Sequence, residues 1–174
     1  MQSDPAFSWG WVSGNGTLGT VSSSVNPGRS DGISEGIINT GNLTLTNAGA
    51  SMYFRGSTAG TGYGQINVTG TVTLGNSSLY TYLENSFIPS LNQEFVLIRN
   101  DGTDAVSGTF QDKPEGTILT LNGYQFRLSY QGGDGNDVTL TSTMVAKSWT
   151  GTVSGLWSNA GNWSPNGVPA NGDL

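Results

Sequence analysis

Residues 65–83 read "QINVTGTVTLGNSSLYTYL". Ile66, Val68, Val72 and Leu74 fall on alternate positions with Asn, Thr and Gly between them. Successive side chains of a β-strand point to opposite faces, so this period of two predicts strands with one apolar and one polar face. The reading places one strand over 65–74 and a second over 78–83, with "LGNS" at 74–77 supplying the turn. The same pattern extends outward in "NLTLT" at 42–46, "SMYFR" at 51–55, "FVLI" at 95–98, "TILTL" at 117–121, "FRLSY" at 126–130 and "VTLT" at 138–141. Segments such as "TNAG", "GSTAGTGYG", "RNDGTDAVSG" and "LNGY" separate them and carry the Gly, Asn and Asp that tight turns require.

Short strands spaced by roughly ten residues fit a sandwich, a barrel or a β-solenoid, and spacing does not choose among them. Composition does more. Only 34% of the 174 residues are hydrophobic, which suits a narrow core one side chain deep. Thr, Ser and Asn lie beside the small apolar residues, as stacked rungs with polar ladders need. The expected fold is therefore all-β, a right-handed parallel β-helix with terminal caps, and the alternative is a β-sandwich. Either way Leu43, Leu45, Ile66, Val68, Val72, Leu74, Phe95, Leu97, Ile118, Phe126, Leu128, Val138 and Leu140 should point into the core.

The absent residue types exclude whole classes of chemistry. There is no Cys, so neither a disulfide nor a thiolate metal site exists. There is no His, which removes a Ser-His-Asp triad, an imidazole base and the usual zinc sites. A net charge of −6 with only six Lys and Arg offers no basic face to nucleic acid or an anionic membrane. No apolar run approaches the roughly 18 residues of a membrane span. Nothing in the sequence pairs two carboxylates in a shared cleft, so no catalytic residues are assigned. Arg55 and Arg99, beside aromatic and apolar residues, have the chemistry to grip a carboxylate, although an outward position on a strand is the commoner use. Glycosylation-type sequons stand at Asn15, Asn42, Asn67, Asn76 and Asn162 and arise readily in a chain rich in Asn, Ser and Thr.

One stretch raises a metal question. "QGGDGNDVTLTST" at 131–143 matches the first six positions of the calcium-binding nonapeptide G-G-x-G-x-D-x-U-x, but Thr139 occupies the place of the large apolar residue U. Calcium takes roughly six to eight oxygen ligands, and one turn supplies too few. Flanked by "FRLSY" and "VTLTS", the segment reads first as a reversal between the last two strands, with glycines free to take positive φ. Calcium held by Asp134, Asn136 and Asp137 is the alternative, and the acidic loop Asp101–Asp104 joins that site only if the strands bring the two together.

The order of motifs carries a resemblance. "NPGRSDGI" at 26–33, "GNLTLTNAGA", "GTGYGQINVTGTV", "EFVLIRNDGTDAVSGTF" and "FRLSYQGGDGNDVTLTS" together resemble the end of a β-strand repeat array in bacterial autotransporter passengers and related secreted repeat proteins. "KSWTGTVSGLWSNAGNWSPNGVPANGD" at 147–173 is similar to the Trp-rich opening of a following unit. The resemblance implies a parallel β-helix on an extracellular or bacterial cell-surface protein, and it implies no reaction, since fold and function are separate. The chain accordingly reads as an excerpt from something longer: an N-terminal cap or strand at 1–13, a solenoid at 14–143, and at 144–174 the Trp-rich start of another unit or a linker.

Tryptophan is confined to the two ends. Phe7, Trp9 and Trp11 lie at the start and Trp149, Trp157 and Trp163 at the end. Such residues cap an open solenoid core, dock onto a neighbour, or stack on sugar rings. Two functions follow: a non-catalytic structural and adhesive module associating end to end with neighbouring copies or adjoining units, or a carbohydrate-binding module using the terminal aromatics. No cofactor beyond the calcium alternative is expected.

Overall fold

A computed structural model of the chain describes residues 10–28, 35–84, 87–143, 147–164 and 168–169 in full, and residues 6–8 and 144 by backbone alone. Among the described residues the structure is all-β. The strands are β1 (Ala6–Ser8), β2 (Trp11–Gly14), β3 (Gly16–Val21), β4 (Ser24–Pro27), β5 (Ile37–Thr44), β6 (Gly49–Phe54), β7 (Gln65–Val68), β8 (Val72–Leu83), β9 (Glu94–Asn100), β10 (Ser107–Phe110), β11 (Ile118–Leu121), β12 (Tyr124–Gly132), β13 (Asp137–Met144), β14 (Ser148–Trp149) and β15 (Trp163–Ser164). One 3₁₀ turn, Ala160–Asn162, precedes β15.

Most of the pairing up to β10 is parallel, and it follows two tracks. On one, β2, β4, β6 and the second half of β8 lie side by side; on the other, β3, β5, β7 and β9 do, with the first half of β8 against the end of β5 and β10 against β8. Ile38 pairs with Ile66, Leu43 with Val72 and Ala50 with Leu79, so residues nearly one constant interval apart stand in the same column. An antiparallel sandwich would not produce this register, and that alternative is set aside for residues 11–100.

The parallel pattern gives way at both ends, where the sequence reading expected further rungs up to residue 143. β1 returns antiparallel onto β2. At the other end β13 pairs antiparallel with β9, then β12 with β13 and β11 with β12. The cause is local. "LNGY" and "GGDGND" each reverse the chain within a few residues, with Asn122 at φ 49° and Gly133 at φ 58°, and a tight reversal can only produce antiparallel neighbours.

The opening stretch also divides differently from the expected strands. The break falls at Thr69–Thr71, not at 74–77, and β8 runs on through Gly75 and Asn76, where Asn76 bends it with φ 51°. The corner is fixed from the neighbouring strand β5. Asn42 Oδ1 accepts from the backbone N–H of Thr71 at 2.9 Å, and a Cβ on Gly70 would lie 2.1 Å from that same oxygen. Alternation continues through a corner of this kind, so period two alone does not locate it.

The core forms one cluster. All the residues expected to point inward do so except Ile118, which is 45% exposed on the outer antiparallel strand β11. The widest part is aromatic: Phe95 meets Phe54 edge-on at 5.0 Å, Tyr63 at 5.3 Å and Phe126 at 6.1 Å. Burial of such rings contributes about 1.5–3 kcal/mol each.

Candidate functional site

The glycine-rich turn between β12 and β13 takes its composition from its own carboxylate. Gly133 holds φ 58°, and a Cβ there would lie 2.0 Å from Asp137 Oδ2. Gly132 is equally confined, since a Cβ would lie 2.2 Å from Thr139 Oγ1. The polar Thr at the position where the calcium nonapeptide has a large apolar residue thus folds over the turn. Asp137 then reaches across to β9, where its Oδ1 accepts from the Asn100 N–H at 2.8 Å. Burial is the main cause that raises the Asp137 pKa above the ordinary Asp value; the Asn100 N–H opposes it, Asp134 adds to it, Arg99 opposes it and Glu94 adds to it.

The strands do bring the second acidic loop alongside. Asn136 is buried, and its Nδ2 donates toward the carbonyls of Asp104 at 3.0 Å, Asp101 at 3.3 Å and Gly102 at 3.4 Å. Asn100 Nδ2 reaches the same Asp104 carbonyl at 2.7 Å. Of the calcium alternative's residues, Asn136 and Asp137 therefore act as locks between loops, while Asp134 faces solvent. The buried Oδ1 atoms of Asn100 and Asn136 have no hydrogen-bond partner among the described residues. Among the described residues no three His, Cys, Asp or Glu side chains gather as a metal-binding group. Beside the turn an open cleft of about 410 Å³ is lined by Asn67, Thr69, Arg99, Asp101 and Asp134. Arg99 stands in register with Asn67 at its rim, whereas Arg55 is held by Glu35 at 3.1 Å and Glu84 at 3.6 Å.

The sequon asparagines turn out to be the joints of the fold. Asn67 Nδ2 donates to Asn39 Oδ1 at 2.9 Å and Asn76 Nδ2 to Asn47 Oδ1 at 2.7 Å, each between neighbouring segments of the sheet. Asn15 Oδ1 accepts from the Ile37 N–H at 2.8 Å, and Asn162 Oδ1 accepts from the N–H groups of Val153 and Ser154 at 2.8 and 2.9 Å. Motif reading could not show this role, because a sequon is also what a polar corner followed by a hydroxyl residue spells.

The terminal aromatics separate into two sites. Trp9 and the Phe7 side chain lie outside the described residues. Trp11 packs against Tyr80 of β8, with ring centroids 6.4 Å apart, on the outer face of the sheet. Trp149, Trp157 and Trp163 pack on one another at 4.7–5.5 Å. Within that trio Trp163 is buried and its indole N–H donates to the Trp157 carbonyl at 3.0 Å. Trp157 is 68% exposed and stacks on exposed Trp149; Val153 and Leu156 of the same unit are exposed too.

Comparison with protein-family models, with curated proteins and with solved structures returns no match.

Proposed function

We propose that the chain is a right-handed parallel β-helix segment serving as a non-catalytic structural and adhesive module of an exported bacterial repeat protein, at the cell surface or released from it. The supporting observation is the column of side chains shared by successive strands. Asparagines 28 and 29 positions apart bond to each other across neighbouring strands, as stacked coils of one length would place them. Parallel crossovers in one sheet are nearly always right-handed, which supplies the hand. A stack of this kind contributes length and rigidity, with its outer face free for contact.

End-to-end association with a second copy or an adjoining unit is the contact this reading favours. Trp157 stacks on Trp149 and both are exposed, as are Val153 and Leu156 of the same unit, and exposed apolar residues of this kind are commonly interaction sites. A heterologous contact between this patch and the β1 end of another copy would propagate into a filament. Light scattering across a wide concentration range tests it. The native chain should grow in mass with concentration, and a Leu156→Ser, Trp157→Ser double variant should stay monomeric. Identical monomeric behaviour of both would refute the association and leave the scaffold reading to stand alone.

A further inference from the structure

A second recognition site is built into the outer face of β2, β4, β6 and β8, away from the glycine turn. Trp11 of β2 and Tyr80 of β8 flank Gly49 of β6, their rings tilted at 52° to one another. Gly49 lies within a strand and has no positive φ, so its backbone does not demand glycine. Space does. A Cβ at Gly49 would lie 3.0 Å from the Tyr80 ring and 3.1 Å from the Trp11 ring, so the two rings close over the bare Gly49 backbone at one side of the cleft.

Trp11, Gly49 and Tyr80 belong to an open cleft of about 330 Å³, which Asn47, Asn76, Gln111 and two serines complete. This volume lies at the small-ligand end of the usual range. Its lining holds no Asp, Glu, Lys or Arg, which disfavours phosphates, metal ions and peptide termini. What it does hold is paired chemistry. Tyr80, 44% exposed, offers a limited apolar ring surface at the edge of a mostly polar lining. The Asn76–Asn47 bond leaves Asn47 Nδ2 as a donor and Asn76 Oδ1 as an acceptor, and the Gln111 amide and Tyr80 hydroxyl have no hydrogen-bond partner among the described residues. Both asparagines sit at φ 51°, which holds their amides at the same point of two successive rungs. A ligand with an apolar ring face and a rim of uncharged hydroxyls satisfies all of these groups together.

We infer that the cleft beside Tyr80 binds a neutral oligosaccharide, with the sugar ring on the exposed Tyr80 ring and its hydroxyls on the Asn47, Asn76 and Gln111 amides. The terminal tryptophan trio takes no part in this site, so a Trp157 variant separates it from end-to-end association.

Affinity electrophoresis of the full chain through gels containing galactomannan, xyloglucan, mixed-linkage glucan or dextran tests the inference, with polygalacturonate as the anionic comparison. At least one neutral polymer should retard the protein, and added salt should leave that retardation unchanged because no charge is involved. Tyr80→Ala and Gln111→Ala, both at exposed positions, should each weaken it about tenfold, the scale of one lost stacking or polar contact. Gly49→Ala, which presses a methyl group on both rings and shifts Tyr80, should weaken it while circular dichroism stays unchanged. Trp157→Ala should have no effect. The inference is overturned if no neutral polymer retards the chain, or if only polygalacturonate does. It is equally overturned if retardation survives Tyr80→Ala and Gln111→Ala, or is lost in Trp157→Ala, which would move sugar binding to the terminal trio.

Discussion

Asn136 Nδ2 lies 3.0 Å from the carbonyl oxygen of Asp104, and through that contact the glycine turn and the acidic loop behave as one unit. The same nitrogen also faces the carbonyls of Asp101 and Gly102, so its two N–H groups are shared among three loop carbonyls. Asn136→Ala should remove it without filling the space. The expected loss is about 1–3 kcal/mol in urea unfolding, the cost of leaving buried polar groups unpaired. A change below the error of the measurement would mean that water replaces the amide at no cost.

Millimolar calcium should leave the melting temperature of the native chain unchanged. A cation in this turn would have to compete with the Asn136 amide for the loop carbonyls and with the Asn100 N–H for the Asp137 carboxylate. Any ligand that binds the native state alone raises the melting temperature by mass action, so thermal scans with calcium and with chelator are a direct reading. A rise of several degrees that disappears in an Asp134→Ala, Asp137→Ala double variant would establish the calcium alternative instead.

Asp137 should make stability depend on pH in the direction opposite to a salt-bridged carboxylate. Its folded pKa is raised, chiefly by burial, so the native state holds the proton more tightly than the unfolded chain does. Stability from this group is therefore fully present below the ordinary Asp value and is lost as pH rises through the raised folded value. Asp137→Asn keeps an oxygen to accept from Asn100 and removes the titration. The variant should match or exceed the native chain in melting temperature at neutral pH, and the difference should shrink as pH falls below the ordinary Asp range. A variant less stable at neutral pH than at acid pH, relative to the native chain, would reverse the sign assigned here.

Much of the inward face was legible because alternation reports which side chains share a side, and burial enforces that choice at Leu43, Ile66, Val72 and Leu140. Where strands begin and end was less so. Thr69–Thr71 turns because Asn42 reaches up from the preceding rung, a partner 29 positions away that no local pattern contains. Phe54 and Phe110 are buried without standing in the expected core, since "SMYFR" and "SGTF" offer too few alternate positions to assign a face. The two acidic loops that the metal question named do meet, through the Asn136 amide. Spacing alone could not show that the aspartate and asparagine face inward to hold backbone groups. The Trp11–Tyr80 cleft was hidden for a different reason: its residues come from separate strands and share a face only once the rungs are stacked.

Tyr130 should be the clearest alkaline reporter. Its hydroxyl accepts from the Phe110 N–H at 2.9 Å and donates to the Lys113 carbonyl at 2.7 Å, and burial pushes its pKa up to about 12. With the folded value above the unfolded one, the stability it contributes is present below the ordinary Tyr range and falls as pH rises toward the folded value. Tyr130→Phe keeps the ring and deletes the hydroxyl. It should cost about 1–3 kcal/mol at neutral pH and flatten the alkaline loss, both measurable by denaturant titration at several pH values.

The corner at Gly70 gives the sharpest test of stacking, because two residues from successive rungs compete for one place. Asn42→Ala removes the acceptor of the Thr71 N–H and should cost about 1 kcal/mol. Gly70→Ala sets a methyl group 2.1 Å from Asn42 Oδ1 and 2.8 Å from the Gly41 carbonyl, so the Asn42 side chain must leave its hydrogen bonds. That variant should cost about 1–3 kcal/mol, the range for an overfilled site. The two losses overlap, since each breaks the same bond to Thr71. The double variant should therefore be less destabilised than the sum of the single ones by more than about 0.5 kcal/mol. Additive losses would show that Asn42 and Gly70 do not share the corner and would count against the rung register on which the β-helix proposal rests.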